Sequence, residues 1–394
     1  MLVGFVIFYL LLNLVVGWWA SKRIHNTQDF VLAGRSLPFA LATMVTFATW
    51  FGSETILGAP REFVHGGLLA VVEEPFGAAL GLFIVGAIYA KKLYPLPVLT
   101  FSDYFRIRFG LLSEKISALV MIPSYFGWIS AQLVALGLTL HLLLPISTEA
   151  GIVVGALLVM TYTLLGGMWS ISFTDFLHNI ILIVGLLFLV YLLLDKIPDF
   201  QRFIDNQPPN FFQFTPRENT WKDWLTYGAA WITIGLGSIP QQDIFQRVMS
   251  AKNQDVAAKA SLAAGAMYLT IAMLPLLIAL IAVRLYPSLL AEDTLLIPHL
   301  VLKFTPYGMQ VLFLGALLSA LLSTTSGAIL APASVLGENL WKPLLKHPSD
   351  VQVLKIIRIS VVLVTLACIW MAVERQNIFE LVGEASAFSL VSLF

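Results

Sequence analysis

Apolar runs of about 20 residues, the length of one transmembrane helix, follow one another along almost the whole chain. Hydrophobic residues make up 58% of the 394 residues and charged residues 12%, whereas soluble domains are roughly 45–50% apolar and about 25% charged. So much apolar surface requires lipid as its solvent, where a backbone satisfies its own hydrogen bonds only in helices or closed barrels. The length of the runs predicts an all-α integral membrane protein.

The runs divide into about ten complete spans. An eleventh begins near residue 378 and is cut off at Phe394. The first run lacks the basic start and small-residue cleavage site of a signal peptide, so we expect it to remain as a helix. The predicted spans are 2–20, 37–60, 66–90, 114–143, 149–166, 171–194, 222–245, 258–284, 308–336 and 353–373.

The distribution of charge predicts the orientation of the chain. When the spans alternate across a bilayer, most lysines and arginines fall on the side reached after the first span, so the positive-inside rule places the amino terminus outside a plasma membrane. The net charge of zero argues against a nucleic-acid partner. We find no phosphate-binding loop, dinucleotide fingerprint or paired-histidine metalloprotease motif, so we expect no enzyme.

Glycine and proline interrupt two of the predicted spans. Because these spans lie five apart, the halves that contain them would have opposite topology and would be related by an in-plane pseudo-twofold axis. Interrupted helices at matching places in two inverted halves indicate the midplane binding site of a secondary transporter. The interruptions are Gly52, Gly58 and Pro60 in span two, and Gly235, Gly237 and Pro240 in span seven.

A stripe of small and hydroxyl-bearing residues runs along the helix predicted over 308–336. Ser319, Ala320, Ser323 and Thr324 share one helical face. Their hydroxyls, together with backbone carbonyls freed at a helix break, could replace part of the water shell of a small hard cation. The alternative is a packing seam, because small residues are enriched wherever membrane helices touch.

Charged side chains inside the spans are further candidates, because each costs at least about 2.5 kcal/mol at the bilayer centre. Glu54, Glu74 and Asp175 are interpreted as functional carboxylates. Asp243 is interpreted as an interfacial carboxylate that pairs with Arg247 one helical turn later.

Several segments together resemble the sodium/solute symporter family, in that family's order and over essentially the whole chain. The resemblance implies a leucine-transporter-like architecture, in which one leading helix precedes a five-plus-five inverted repeat and the last core helix is incomplete. The segments are 48–54, 162–170, 174–175, 246–252 and 323–324. The implied units are a leading helix and cytoplasmic loop (1–36), a first repeat (37–194), an extracellular loop (195–221) and a second repeat (222–394).

The resemblance also implies a sodium site and an ion path. Two carbonyls come from the first broken helix, and one carbonyl and two hydroxyls come from the hydroxyl stripe. A family aspartate matches Asp175 and lies toward the cytoplasmic ion exit. The implied sodium ligands are Ala48, Phe51, Ala320, Ser323 and Thr324.

Within the family, the residues look most like the high-affinity choline transporter branch. Gln241 and Ala78 replace two aromatic residues of that branch. Because cation–π contacts hold quaternary ammonium groups, these replacements argue against such a group as the tight ligand and favour a small polar or amine-bearing solute. The implied substrate-site residues are Trp50, Glu54, Thr55, Glu74, Trp128, Gly237 and Gln241.

The sequence therefore predicts a sodium-coupled symporter that imports a small organic solute by alternating access across the bilayer. One alternative is a proton-coupled carrier on the same fold, with Glu54, Glu74 or Asp175 as the proton site. The other alternative is a transport-inactive sensor or assembly subunit.

Overall fold

The computed structural model describes residues 2–393, so the outermost positions of the predicted units, 1 and 394, lie outside the described residues. Within that range every regular element is a helix, and one isolated bridge joins Leu37 to Ala251. The principal helices are α1 (Leu2–Ser21), α2 (Phe39–Ala48), α3 (Ala59–Gly66), α4 (Leu68–Leu93), α5 (Leu111–Leu143), α6 (Thr148–Leu194), α7 (Trp221–Gly237), α8 (Gln242–Ser250), α9 (Gln254–Leu285), α10 (Tyr307–Val335), α11 (Asp350–Glu374) and α12 (Ile378–Leu393). Shorter helices cover Thr27–Leu32, Phe101–Phe109, Phe200–Asp205 and Leu296–Phe304.

The helices agree with the ten predicted spans. Seven helices of the described chain are long and apolar enough to cross a membrane. One of them, α6, contains two of the predicted spans, because the chain kinks sharply at Gly167, where φ is +48°. The remaining two predicted spans are the broken ones, which the structure divides into separate shorter helices.

Both broken spans are interrupted near their middle. The first stops at Ala48 and resumes as a π-helical turn over Glu54–Gly58, which leads into α3. The second stops at Gly237 and resumes with α8 at Gln242. At such breaks the terminal carbonyl and N–H groups lose their helical partners and become available to side chains or ligands.

Helix α10 forms the centre of the molecule. Its most apolar stretch is 94% buried, whereas that of α1 is 33% buried and leaves large side chains facing outward. Helix α10 contacts α5, α6, α8 and α11. The hydroxyl stripe is therefore an interior face, and it meets the break that follows α2.

Close backbone approach brings α4 and α7 together beside this centre. A Cβ atom at Gly81 would lie 2.8 Å from the carbonyl oxygen of Gly235. Glycine at these positions allows the two helices to touch, as small residues do in membrane helix pairs. This contact holds Glu74, on the first turns of α4, beside the second broken span.

Candidate functional site

Oxygen atoms converge where the first broken span meets α10. The Thr324 hydroxyl donates to the carbonyl oxygens of Ala48, at 3.1 Å, and Phe51, at 3.3 Å. The helix stops at this point, so both carbonyls are free of regular helical partners. The structure thus brings together three of the five residues that the sequence predicts as sodium ligands.

The other two predicted ligands lie on the same helix, within one turn of Thr324. Ala320 and Ser323 are both buried. The Ser323 hydroxyl donates to the carboxylate of Asp175, which is itself buried on α6. Asp175, the residue predicted at the ion exit, is therefore in direct contact with a predicted ion ligand.

A glutamine on α5 fixes the shape of the first break. Its Oε1 atom accepts a hydrogen bond of 2.9 Å from the backbone N–H of Ser53. A Cβ atom at Gly52 would lie 2.7 Å from the same Gln132 oxygen and 3.0 Å from Thr324 Cγ2, so the close approach requires glycine. Sequence reasoning missed Gln132, because an uncharged residue in an apolar span gives no signal.

A small cavity lies beside this break and contains five of the seven predicted substrate-site residues. Its free volume is about 30 Å³. The other two are next to lining residues: the Thr55 hydroxyl contacts Glu74, and Gly237 directly precedes Ser238 in the chain. The lining residues are Trp50, Glu54, Glu74, Ser124, Trp128, Ile234, Ser238, Gln241, Val382, Ala385 and Ser386.

Two carboxylates give the cavity its electrostatic character. Glu74 is 4% exposed and accepts a hydrogen bond of 2.5 Å from the Thr55 hydroxyl. Glu54 is 7% exposed and has no hydrogen-bond partner among the described residues. None of the lining residues is basic. The cavity is therefore suited to a solute that carries positive charge.

Asp243 orients one wall of the cavity. Its carboxylate accepts hydrogen bonds from Trp50 Nε1 at 3.2 Å and from the Tyr125 hydroxyl at 2.6 Å. The interpretation of Asp243 as an interfacial carboxylate is wrong, because its side chain is fully buried. It occupies the first turn of α8, where the helix dipole favours a negative charge.

Arg247 lies one turn further along α8 and is also buried. Its Nη1 atom contacts the backbone carbonyl of Asp243 at 3.4 Å and Oε1 of Gln246 at 3.5 Å. A Cβ atom at Gly327 would lie 2.1 Å from Arg247 Nη2, so glycine makes room for the guanidinium against α10. The Arg247 guanidinium and the Asp243 carboxylate interact electrostatically, as the sequence predicts, but the hydrogen bond of the guanidinium goes to the Asp243 main chain.

The model of the sodium:solute symporter family matches residues 30–392. The chain belongs to this family. Among its curated relatives is the high-affinity choline transporter 1 of Caenorhabditis elegans, which is 28% identical over 95% of this chain and 69% of its own length. The human high-affinity choline transporter 1 is 26% identical over 96% of this chain and 69% of its own length. Sodium/proline symporter 2 of Staphylococcus saprophyticus is 26% identical over 99% of this chain and 80% of its own length.

Solved structures of transporters share the fold of this family member. A Na⁺-coupled sialic acid symporter in a substrate-bound, outward-open state superposes with a TM-score of 0.82 and 19% identity, over 95% of this chain and 80% of its own. The nucleobase-cation-symport-1 family transporter Mhp1 superposes with a TM-score of 0.55 and 17% identity, over 89% of this chain and 75% of its own.

These comparisons bear on several of the sequence predictions. The family and its choline-transporter-like branch are confirmed, and so is the all-α, leucine-transporter-like fold class. Sodium-coupled solute symport is confirmed at the level of family and fold. The protein is a multi-pass membrane protein whose family and fold are those of a carrier.

Proposed function

We propose that this symporter couples sodium entry to the import of a small organic solute that carries a positively charged amine. The observation that carries the proposal is the position of the cavity. Two of its lining residues, Trp50 and Glu54, belong to the same helix break whose carbonyls, at Ala48 and Phe51, accept from the Thr324 hydroxyl. Solute and ion would thus bind on opposite sides of one short segment of chain.

Sodium would enter the oxygen cluster as the coupling ion. The carbonyls of Ala48, Phe51 and Ala320 and the hydroxyls of Ser323 and Thr324 supply five uncharged oxygen atoms, the donor type that hard cations prefer. Unwound backbone carbonyls at broken helices coordinate Na⁺ in transporters of this architecture. The Thr324 hydroxyl donates to two of these carbonyls, so it would turn its lone pairs toward the ion when sodium binds.

The charge of the cavity supports an organic cation as solute. The relatives named for choline agree with a cationic solute. A cavity with two carboxylates and no basic lining residue disfavours a solute with a free acid group, because like charges repel in a medium of low dielectric constant. Gln241 lines the cavity where the choline-transporter branch has an aromatic residue, so we propose a protonated amine that donates hydrogen bonds rather than a trimethylammonium group that relies on cation–π contacts.

Sodium supplies sufficient driving force for such import. Each charge gains about 2.3 kcal/mol per 100 mV of membrane potential, and each tenfold sodium gradient adds about 1.4 kcal/mol. We place the protein in a cell membrane with its amino terminus outside, because the predicted loops on the opposite side carry most of the lysines and arginines.

Transport by the purified full chain in liposomes tests this proposal. An inward sodium gradient at clamped voltage should stimulate uptake of a labelled small amine, and neutral sugars and carboxylic acids should compete poorly. Uptake that ignores sodium and collapses with a protonophore would instead favour the proton-coupled alternative. Failure of a broad solute panel to show any gradient-driven uptake would favour the transport-inactive sensor or assembly subunit.

A further inference from the structure

The cavity holds two buried carboxylates but no cation to balance them. Glu54 and Glu74 both line it, and no lysine, arginine or histidine is among the lining residues. Glu54 accepts no hydrogen bond from any described residue, and Glu74 accepts only the Thr55 hydroxyl. An unpartnered carboxyl group that is more than nine-tenths buried and borders a cavity either keeps its proton or takes a cationic partner from outside the protein.

The nearest buried guanidinium does not fill this role. Arg247 packs against α10 beside Gly327, and its hydrogen bonds go to the backbone of Asp243 and to Gln246. The acidic groups that interact with it electrostatically are Asp243, Asp175 and Tyr125, and neither cavity carboxylate is among them.

Both carboxylates belong to the cavity lining and are connected through Thr55. Glu54 immediately precedes Thr55 in the chain, and the Thr55 hydroxyl is 2.5 Å from Glu74 Oε1. The indoles of Trp50 and Trp128 form other parts of the lining. One ammonium group would neutralise one carboxylate and leave the other uncompensated in a medium of low dielectric constant. Two ammonium groups joined by a short methylene chain would satisfy both carboxylates and rest their apolar part on the indoles.

We therefore propose that the solute is a dication, of the class of short aliphatic diamines, with one ammonium group facing Glu54 and the other facing Glu74. This inference rests on the proposed import of an amine. The free space of about 30 Å³ in the cavity is small, which favours a solute of only a few methylene groups. Gln241, in the same lining, offers a neutral amide that accepts hydrogen bonds from either amine without adding charge.

Competition among matched amines tests the number of charges that the cavity accepts. Liposomes that contain the full-length protein and have an inward sodium gradient would be supplied with labelled 1,3-diaminopropane or 1,4-diaminobutane. Propylamine, butylamine and choline would be the competitors. We expect each diamine to be preferred about tenfold or more over the monoamine of equal length, because it makes one more charge-assisted contact. Equal preference for monoamine and diamine would overturn the dication assignment.

Isosteric variants then assign the charges to residues. Glu54→Gln and Glu74→Gln should each lower the ratio of diamine to monoamine uptake about tenfold. Glu62→Gln is the control, since Glu62 does not line the cavity and is paired with Arg61 at 3.9 Å. The dication model is wrong if the ratio stays unchanged in both cavity variants, or if it falls equally in the control. If a variant does not fold, the ratio in the unmodified protein decides the question.

Two further outcomes separate this inference from the proposed function. Sodium-driven monoamine uptake accompanied by stoichiometric proton movement would mean that one carboxylate carries a proton, which overturns the dication assignment and leaves sodium symport intact. The absence of sodium-driven uptake for every amine and every other solute tested would overturn the proposed function itself.

Discussion

Replacement of Thr324 by valine isolates the contribution of one hydroxyl to the proposed sodium site. Valine has nearly the same shape as threonine, so the substitution Thr324→Val leaves no cavity. It removes one donor shared between the carbonyls of Ala48, at 3.1 Å, and Phe51, at 3.3 Å. In the absence of sodium, this loss should lower the free energy of unfolding by only about 0.5–1.5 kcal/mol, the net value of a hydrogen bond.

The effect on sodium binding should be larger. The variant removes one of five proposed oxygen ligands and puts a methyl group in its place, at a buried position that water does not readily fill. A contact to a charged group contributes about 1.5–3 kcal/mol, so we expect the dissociation constant for sodium to rise by roughly tenfold to a hundredfold.

Thermal unfolding of the purified protein measures this change without any knowledge of the solute. Sodium stabilises a protein that binds it by RT ln(1 + [Na⁺]/Kd). The unfolding temperature should therefore rise with sodium concentration in both proteins, and the variant should need a higher sodium concentration for the same rise. N-methylglucamine at equal ionic strength serves as the reference cation.

The same helix supplies a matched control variant. The Ser319 hydroxyl bonds to the Gly315 carbonyl of its own helix at 2.6 Å, so Ser319→Ala should leave the sodium response unchanged. The ion-site reasoning is refuted if Thr324→Val keeps the unmodified sodium response, or if both variants lose it to the same extent.

Three further substitutions probe the surroundings of the site. Asp243→Leu should lower the free energy of unfolding by up to about 3–5 kcal/mol, because it removes one of the two carboxylates that balance the buried Arg247 guanidinium, the other being Asp175; adding Arg247→Met should recover part of this loss in a double-mutant cycle, and strict additivity would contradict the coupling. Gln241→Trp should improve competition by choline by up to about 30-fold, since a desolvated cation–π contact contributes about 2 kcal/mol; an inhibition constant for choline that does not improve would argue against the position of this side chain in the cavity. Gly127→Ala would place a Cβ atom 2.6 Å from a backbone carbonyl of α12, so it should lower the unfolding temperature, whereas the same change at Gly228, which has no atom within 4 Å of its Cβ position, should not.

The helices and their interruptions could be predicted from the sequence because their causes are local. Apolar runs of membrane-spanning length specify helices in lipid, and glycine with proline marks the places where a helix stops. The meeting of Thr324 with Ala48 and Phe51 joins residues more than 270 positions apart, and only the family resemblance placed them together. Periodicity defines a helical face but does not name the helix that this face will meet.

The roles of Asp243 and Gln132 could not be predicted from the sequence, for different reasons. The pairing rule for residues four apart assumes an exposed, continuous helix. The break before α8 instead places Asp243 on the first turn of a buried half-helix, facing Trp50 and Tyr125. Gln132 has an ordinary helical setting, and its importance arises only because α5 passes the unpaired N–H group of the first break.

The bridge at Leu37 joins the two broken spans mechanically. The Leu37 N–H donates to the Ser250 carbonyl, and the Leu37 carbonyl accepts from the Lys252 N–H, both at 2.9 Å. These bonds tie the start of α2 to the end of α8, while the interruptions lie further along each span. Displacement of one of these ends therefore requires either an equal displacement of the other or the loss of both hydrogen bonds.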